Sequence, residues 1–560
     1  VRAEELETKI EAVRVLLNAL AGEDFATQTT LAQILEKMIA APATAEKQDM
    51  ITDRVDSVET LLTAIKDTDG IKKITDTVCV DMIDRAARVL GKVSADEDLS
   101  AKIEKIQESQ RDLYRSLNIL IGQSVPSEIY GVHWDKVATP ALTRTDAAVD
   151  KVANIGVGFA AAANDFDNLP IWGEIEEVTD EYGNAFIRIP KFYIRKMDGE
   201  GFKSWQASKK HHPGFYLPRC FWDFANNREL PYFDFGKHLA TLGESNRLQS
   251  KPGLYPLCSK SIVQMRQYAQ NNNADGLTGY QQLDIHAVDV LQTLMFIEFA
   301  TLNMQTVMQG YTTGQYTATH LAVVTETNTN RIVVANNHAG LYRVGQSISV
   351  GTTQGGNQIF YGRTITSIDD YDADNKAITF DGDPVDIYAG NMLYNTAYKT
   401  GFSSGIAASS GAIVANDGKY PCAYRGIESP YGDIYQFVDG VNITERQAWV
   451  CENADQYASN LFAHPYESLS YRNYADSTEG YVKEMGFDPQ HPYAGFPTAV
   501  GGSSTTYYSD YHYNSTGERI ARFGGSWSRG AVAGPSCWYL DSALSNAWLS
   551  DGGRLLKKAS

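Results

Sequence analysis

Cysteine is scarce in this sequence: Cys79, Cys220, Cys258, Cys422, Cys451 and Cys537 are all there are in 560 residues. They lie far apart and no CxxC pair occurs, which argues against a zinc motif and against a dense disulfide framework. Buried, reduced thiols are expected instead. No apolar run reaches the roughly 18 residues that a membrane-crossing helix needs. The chain opens on charged residues with no signal-like apolar core, so synthesis in a cytoplasm is expected. Basic charge is also short. Lys and Arg number 49 against 68 Asp and Glu, for a net charge of −19, and there is no long basic run. Nucleic acid is therefore not an expected partner, because phosphate binding needs a basic face.

What is present in quantity is tyrosine (32), glycine (46) and a hydrophobic fraction of 43%. That mix predicts loop-rich, β-rich domains, and the length implies several of them. Residues 1–122 have a different character. Leu6, Ile10, Val13, Leu17 and Leu20 step by alternating fours and threes, and so do Ile51, Val55, Val58, Leu62 and Ile65. Leu99, Ile103, Ile106, Gln110, Leu113, Leu117 and Leu120 repeat the pattern with one polar residue in the seam. Narrow seams of this kind pack between chains, and a polar seam residue sets strand number. The expectation is a helical coiled-coil stalk, a parallel homotrimer, that attaches to other proteins.

From about residue 123 short apolar runs, turns and aromatics take over. "AFIRIPKFYIRK" (Ala185–Lys196) follows the turn "DEYGN" and reads as a strand pair or one long strand. Asp284–Gly310 has apolar residues at helical spacing and predicts the main helix, stopping at Gly310 and packing on a sheet. Residues 318–397 consist of β-branched runs between Asn, Asp and Gly turns, which predicts an inserted all-β module of five or six strands. Its "DDYDADN" turn is acid-rich but lacks the glycine and closing glutamate of a calcium loop. Residues 398–560 are rich in Gly, Ser and Tyr, with short strands and long loops expected.

Several of these segments resemble one family. "YRGIESPYGDIYQFVDGVNI" (Tyr424–Ile443) is similar to the pattern R-G-x-E-N-P-Y-G-N-I-W-x-x-x-D-G. "RFGGSWSRGAVAG" and then "LDSALSNAWLSDGGR" are similar to R-x-G-G-S-W-x-x-G-x-x-A-G followed by N-N-x-P-S-x-S-x-x-x-x-G-x-R. These patterns belong to the C-type-lectin-like fold, in the branch shared by formylglycine-generating enzymes, bacteriophage tail proteins and the variable proteins of diversity-generating retroelements. "YGVHWDKVATPALTRTDAAV" (Tyr130–Val149) and "IEFATLNMQTVMQG" (Ile297–Gly310) resemble the phage tail-fibre members. The resemblance implies an α+β multidomain chain. Its stalk would be residues 1–122, and its C-type-lectin-like α+β domain would be split into 123–317 and 398–560 by the β module. It implies a virion protein, a tail or head fibre, that binds a bacterial surface receptor.

Enzymes of the family hold copper with two close C-terminal cysteines, whereas only Cys537 lies in the last hundred residues here. No catalytic residue, cofactor or metal is therefore expected. The expected function is non-covalent binding of a glycan or protein by the C-terminal loops, with a purely structural virion decoration protein or a retroelement-diversified ligand-binding protein as the alternatives. "SSTTYYSDYHYNSTG" (Ser503–Gly517) and "CWYLDSALSNAWLSD" (Cys537–Asp551) carry the Tyr, Trp, Ser and Asn chemistry of antibody paratopes. Such residues give large contact area for few lost rotamers. The candidate contact residues are Tyr507, Tyr508, Tyr511, Tyr513, Ser528, Arg529, Trp538, Tyr539, Asp541, Ser542, Asn546, Trp548 and Ser550. The positions from 528 onward, with Ser536, fall where the retroelement family varies, and most of their residues lie within the set that adenine mutation of Asn-type codons reaches, although Trp538 and Trp548 lie outside it. Gly524, Gly525, Trp527, Gly530, Gly534, Gly552 and Arg554 are the expected scaffold of the same stretch.

Overall fold

The structure is a computed structural model that describes residues 128–559, except 159, 161, 275, 407, 408, 413 and 473–478. The expected α+β class is corrected by it to a mostly β structure. The described residues hold thirty-three strands against three α-helices, Ile262–Gln270, Ile285–Phe299 and the single turn Asn336–Ala339. The heptad seams, Gln110 and the stalk expected over 1–122 lie outside the described residues, so no coiled coil is among what is seen.

The Ile285–Phe299 helix organises the larger core. Asp284 caps it, accepting from Ala287 N at 2.9 Å. Every residue except Gln292 is buried, which is why its sequence is apolar almost all round rather than striped. It packs between a four-stranded sheet, ordered Thr143–Asp146, Ile129–Trp134, Phe202–Ser208, Tyr193–Gly199, and the long Tyr435–Thr444 strand. Of its four buried polar residues, the two acids are matched, while the His286 and Thr293 side chains have no hydrogen-bond partner among the described residues. Glu298 accepts from Arg425, Tyr424 and Asn164, and Asp289 meets Lys196 and Tyr216. The helix ends eleven residues before the predicted stop at Gly310. Ala300 turns left-handed (φ 51°), Leu142 N donates to Ala300 O, and Leu302 N donates to Pro140 O. Pairing with a distant segment thus outcompetes continued helix.

"AFIRIPKFYIRK" forms two strands, Ala185–Pro190 and Tyr193–Gly199, but they do not pair with each other. Proline at the break lacks the N–H that a continuous ladder needs. The first strand joins a five-stranded sheet in the order Tyr280–Gln282, Leu555–Lys558, Tyr232–Gly236, Ala185–Pro190, Glu176–Thr179. The chain's last described strand is therefore interior to a sheet begun nearly four hundred residues earlier.

The inserted module has its own core, which includes Ile332, Val334, Ile348, Val350, Phe360, Ile378 and Phe380. It contains seven strands rather than five or six: a five-stranded sheet and the pair Glu326–Thr329 with Val385–Ile387. The chain enters and leaves side by side, with Gln315 N donating to Asn395 Oδ1 and Asn395 N to Gln315 O, both at 2.7 Å. In the acid-rich turn Asp372 accepts from the Asp374 and Asn375 backbone N–H groups. Cys220, Cys258, Cys422, Cys451 and Cys537 are all free thiols.

Candidate functional site

The largest sheet has nine strands, and its centre carries the C-terminal tyrosines. Glu479–Met485, Tyr511–Asn514, Trp538–Ser542, Glu518–Phe523 and Tyr435–Thr444 lie side by side. Side chains alternate across a strand. In Tyr511–Asn514 this sends His512 and Asn514 into the core, where both are buried, and leaves Tyr511 and Tyr513 half-buried on the opposite face. In Trp538–Ser542 it sends Trp538 and Leu540 inward, Trp538 against Phe496 and Phe523 at ring distances of 4.8 and 5.5 Å. Tyr539 and Asp541 go to the other face.

Register then aligns that face. Glu479 pairs with Tyr513, Tyr513 with Tyr539, and Tyr539 with Arg522; Tyr481 pairs with Tyr511. The result is a continuous aromatic row. Ring centroids are 5.0 Å apart for Tyr481–Tyr511 and for Tyr511–Tyr513, 4.1 Å for Tyr513–Tyr539 and 4.5 Å for Tyr539–Tyr435. These are spacings of direct ring contact. The row grades from half-buried Tyr481, Tyr511 and Tyr513 to buried Tyr539 and Tyr435. Burial pushes the hydroxyls of Tyr435 and Tyr539 well up, so both stay protonated.

Two arginines attend the buried end. Arg522 is itself buried, 4.8 Å from the Tyr435 ring centroid and 5.5 Å from that of Tyr539. It donates to Asp551 at 2.9 and 3.0 Å and to Asp541 at 2.9 Å. Burial still holds the Asp551 carboxyl above its ordinary range, with Arg522 working in the opposite direction. Arg529 is exposed and stands over the same two rings, 5.4 Å from Tyr539 and 5.8 Å from Tyr435. Its side chain has no acidic partner and no hydrogen-bond acceptor among the described residues. An exposed cation held on aromatic faces beside a tyrosine row can grip a polar ligand and stack against its rings.

The expected contact residues thus divide. Tyr511, Tyr513, Tyr539, Arg529 and Asp541 converge on this face, and Ser528 is the half-buried neighbour of Arg529. Tyr508, Trp538 and Ser542 are buried, which corrects their expected place on the surface. Tyr508 packs edge-on against Trp134 at 5.3 Å. Tyr507 is half-buried with φ 57°, its N–H donating to Ala138 O, and it also faces Trp134 rather than the row. Asn546, Trp548 and Ser550 lie on the following loop. Ser550 O accepts from Tyr435 N, so this loop passes beside the buried end of the row. Trp548 is 56% exposed, and its neighbour Leu549 lines a separate pocket of about 420 Å³ with Leu242, Tyr255, Pro256, Cys258 and Tyr361.

The scaffold residues hold the loops from beneath. Gly524 (φ 92°) and Gly525 (φ 82°) adopt left-handed backbone, and a Cβ on Gly525 would stand 2.5 Å from that of Ala533. Trp527 is buried with Tyr311, Tyr398 and Ile434. Arg554 is fully buried and donates to Gln436 Oε1 and to the carbonyls of Gly236, Lys237, Glu428 and Ser429. Gly530, by contrast, is half-buried and not part of this interior.

Sequence reasoning missed Tyr435, Tyr481, Arg522 and Asp551. The alternation in "EGYVKEM" is a signal for Tyr481, but Tyr435 sits in a motif that reads as core, and nothing local relates it to Tyr539. No protein-family model matches the chain, and no curated protein matches it.

Proposed function

We propose that this chain is a bacteriophage fibre protein of the virion that binds a host cell-surface receptor non-covalently. The contact face is the tyrosine row Tyr481–Tyr511–Tyr513–Tyr539 with Arg529 at its end. The observation that carries the reading is the row itself. Two neighbouring strands place three half-buried tyrosines on one sheet face, a third adds Tyr539, and the exposed Arg529 stands on the loop beside them, while the opposite face packs the core. Aromatic rings with adaptable polar neighbours suit a saccharide or protein surface, and they lose few rotamers on binding. The motif resemblance to C-type-lectin-like phage proteins supports the same reading, and no catalytic step is assigned to the face.

Adsorption tests it. The full chain, fluorescently labelled, is screened against a panel of bacterial strains, and Tyr481→Ala/Tyr511→Ala/Tyr513→Ala is compared on each strain that binds. Each ring contact that stacks on a ligand contributes on the order of 1 kcal/mol, so the triple variant is expected to lose binding more than tenfold with its melting temperature close to the parent's. Undiminished binding by a folded triple variant refutes this face. Absence of binding to every strain, with the chain present on purified virions, favours the structural decoration reading.

A further inference from the structure

The two arginines over Tyr435 and Tyr539 differ in one respect. Arg522 is neutralised by Asp541 and Asp551, whereas Arg529 has neither acid nor acceptor among the described residues. The uncompensated charge thus stands at the Tyr539 end of the row, and Tyr513, Tyr511 and Tyr481 lead away from it.

Resting on the receptor-binding reading above, we infer that this face takes an acidic saccharide, whose carboxylate sits on Arg529 and whose rings run over Tyr513, Tyr511 and Tyr481. The guanidinium is planar and offers paired N–H donors that match the two oxygens of a carboxylate. Stacking on two rings orients that fork beforehand, so less rotamer freedom is lost when it binds. A single uncompensated guanidinium matches a monoanion. A phosphomonoester would bring nearly two charges per group toward a chain of net charge −19, where Arg529 offers one. Half-buried tyrosine faces suit the C–H faces of sugar rings, and the hydroxyls at their edges suit sugar hydroxyls.

Calorimetric titration of the full chain supplies the test. The probes are oligosaccharides of glucuronic, galacturonic and N-acetylneuraminic acid, each beside its carboxyl-reduced form, together with a phosphorylated hexose oligomer. At least one carboxylate form is expected to bind about tenfold to a hundredfold tighter than its reduced counterpart, the range of a charge-assisted bidentate contact. Arg529→Gln should abolish that preference, while Arg529→Lys, which keeps the charge but not the fork, should restore only part of it. Equal binding of acid and reduced forms, a preference that survives in Arg529→Gln, or tighter binding of the phosphorylated oligomer overturns the inference. The two readings fail separately. Cell binding lost in the tyrosine variant but intact in Arg529→Gln keeps the receptor face and removes the acidic ligand. Cell binding intact in the tyrosine variant removes both.

Discussion

Arg554→Lys is expected to destabilise the protein by about 2–6 kcal/mol, although lysine keeps the charge. The buried guanidinium serves five acceptors from two directions: one amide oxygen on Gln436 and four backbone carbonyls, at 2.7–3.2 Å. An ammonium has three N–H groups on one nitrogen, so at least two of the five acceptors are orphaned, and each buried orphan costs about 1–3 kcal/mol. A folded domain is stable by about 5–15 kcal/mol, so the variant should remain folded but weakened. Urea unfolding followed by tryptophan fluorescence measures the difference. Arg529→Gln is the control from the same C-terminal stretch. Its exposed guanidinium makes only cation–π contacts, worth about 0.5–1 kcal/mol. The reasoning is refuted if Arg554→Lys unfolds within about 0.5 kcal/mol of the parent, or if Arg529→Gln is equally damaging.

Four further outcomes are expected from the geometry. Trp538→Ala should cost about 3–5 kcal/mol by opening a cavity beside Phe496 and Phe523, whereas Tyr513→Ala should cost under about 1.5 kcal/mol; equal losses by thermal unfolding would contradict the assignment of faces. Burial pushes His512 down to about 4. The unfolded chain then takes up a proton that the folded one refuses, so stability present above about pH 6.5 falls away toward pH 4, by up to about 3 kcal/mol. His512→Gln should flatten that slope in urea titrations. Burial pushes the carboxyl of Asp433 up to about 8, which has the opposite sign: its contribution is full below about pH 4 and is lost as pH rises through 8. Asp433→Asn should then be less pH-sensitive than the parent between about pH 4 and 8. Replacing residues 318–393 with a short glycine link should leave the remaining core folded, since the flanking strands already meet at Gln315 and Asn395; failure to recover a cooperative melt would show that the module's core is not separable.

The free cysteines, the β module between Gln315 and Asn395, the strands within "AFIRIPKFYIRK" and the burial of Ile434, Phe437 and Trp527 were all legible in residue order, because each depends on composition or on neighbours a few positions away. The split that puts Trp538 inside and Tyr539 on the other face was not, since both were expected as contact residues. Nor was the mostly β class, since helical spacing at Asp284–Gly310 could not reveal that residues 300–302 would pair with Pro140–Leu142. Nor could alternation say which face of a strand meets the core. That choice is collective, made by register across five strands and by the helix packed beneath them, and it put Trp538 inside and Tyr539 with Tyr513. The same holds for arginine. Arg522, Arg529 and Arg554 are chemically identical in the sequence, yet one is locked between two aspartates, one is left open on a tyrosine row, and one is buried among carbonyls. Their partners come from residues up to three hundred positions away, so only the tertiary structure could decide which of the three stands free.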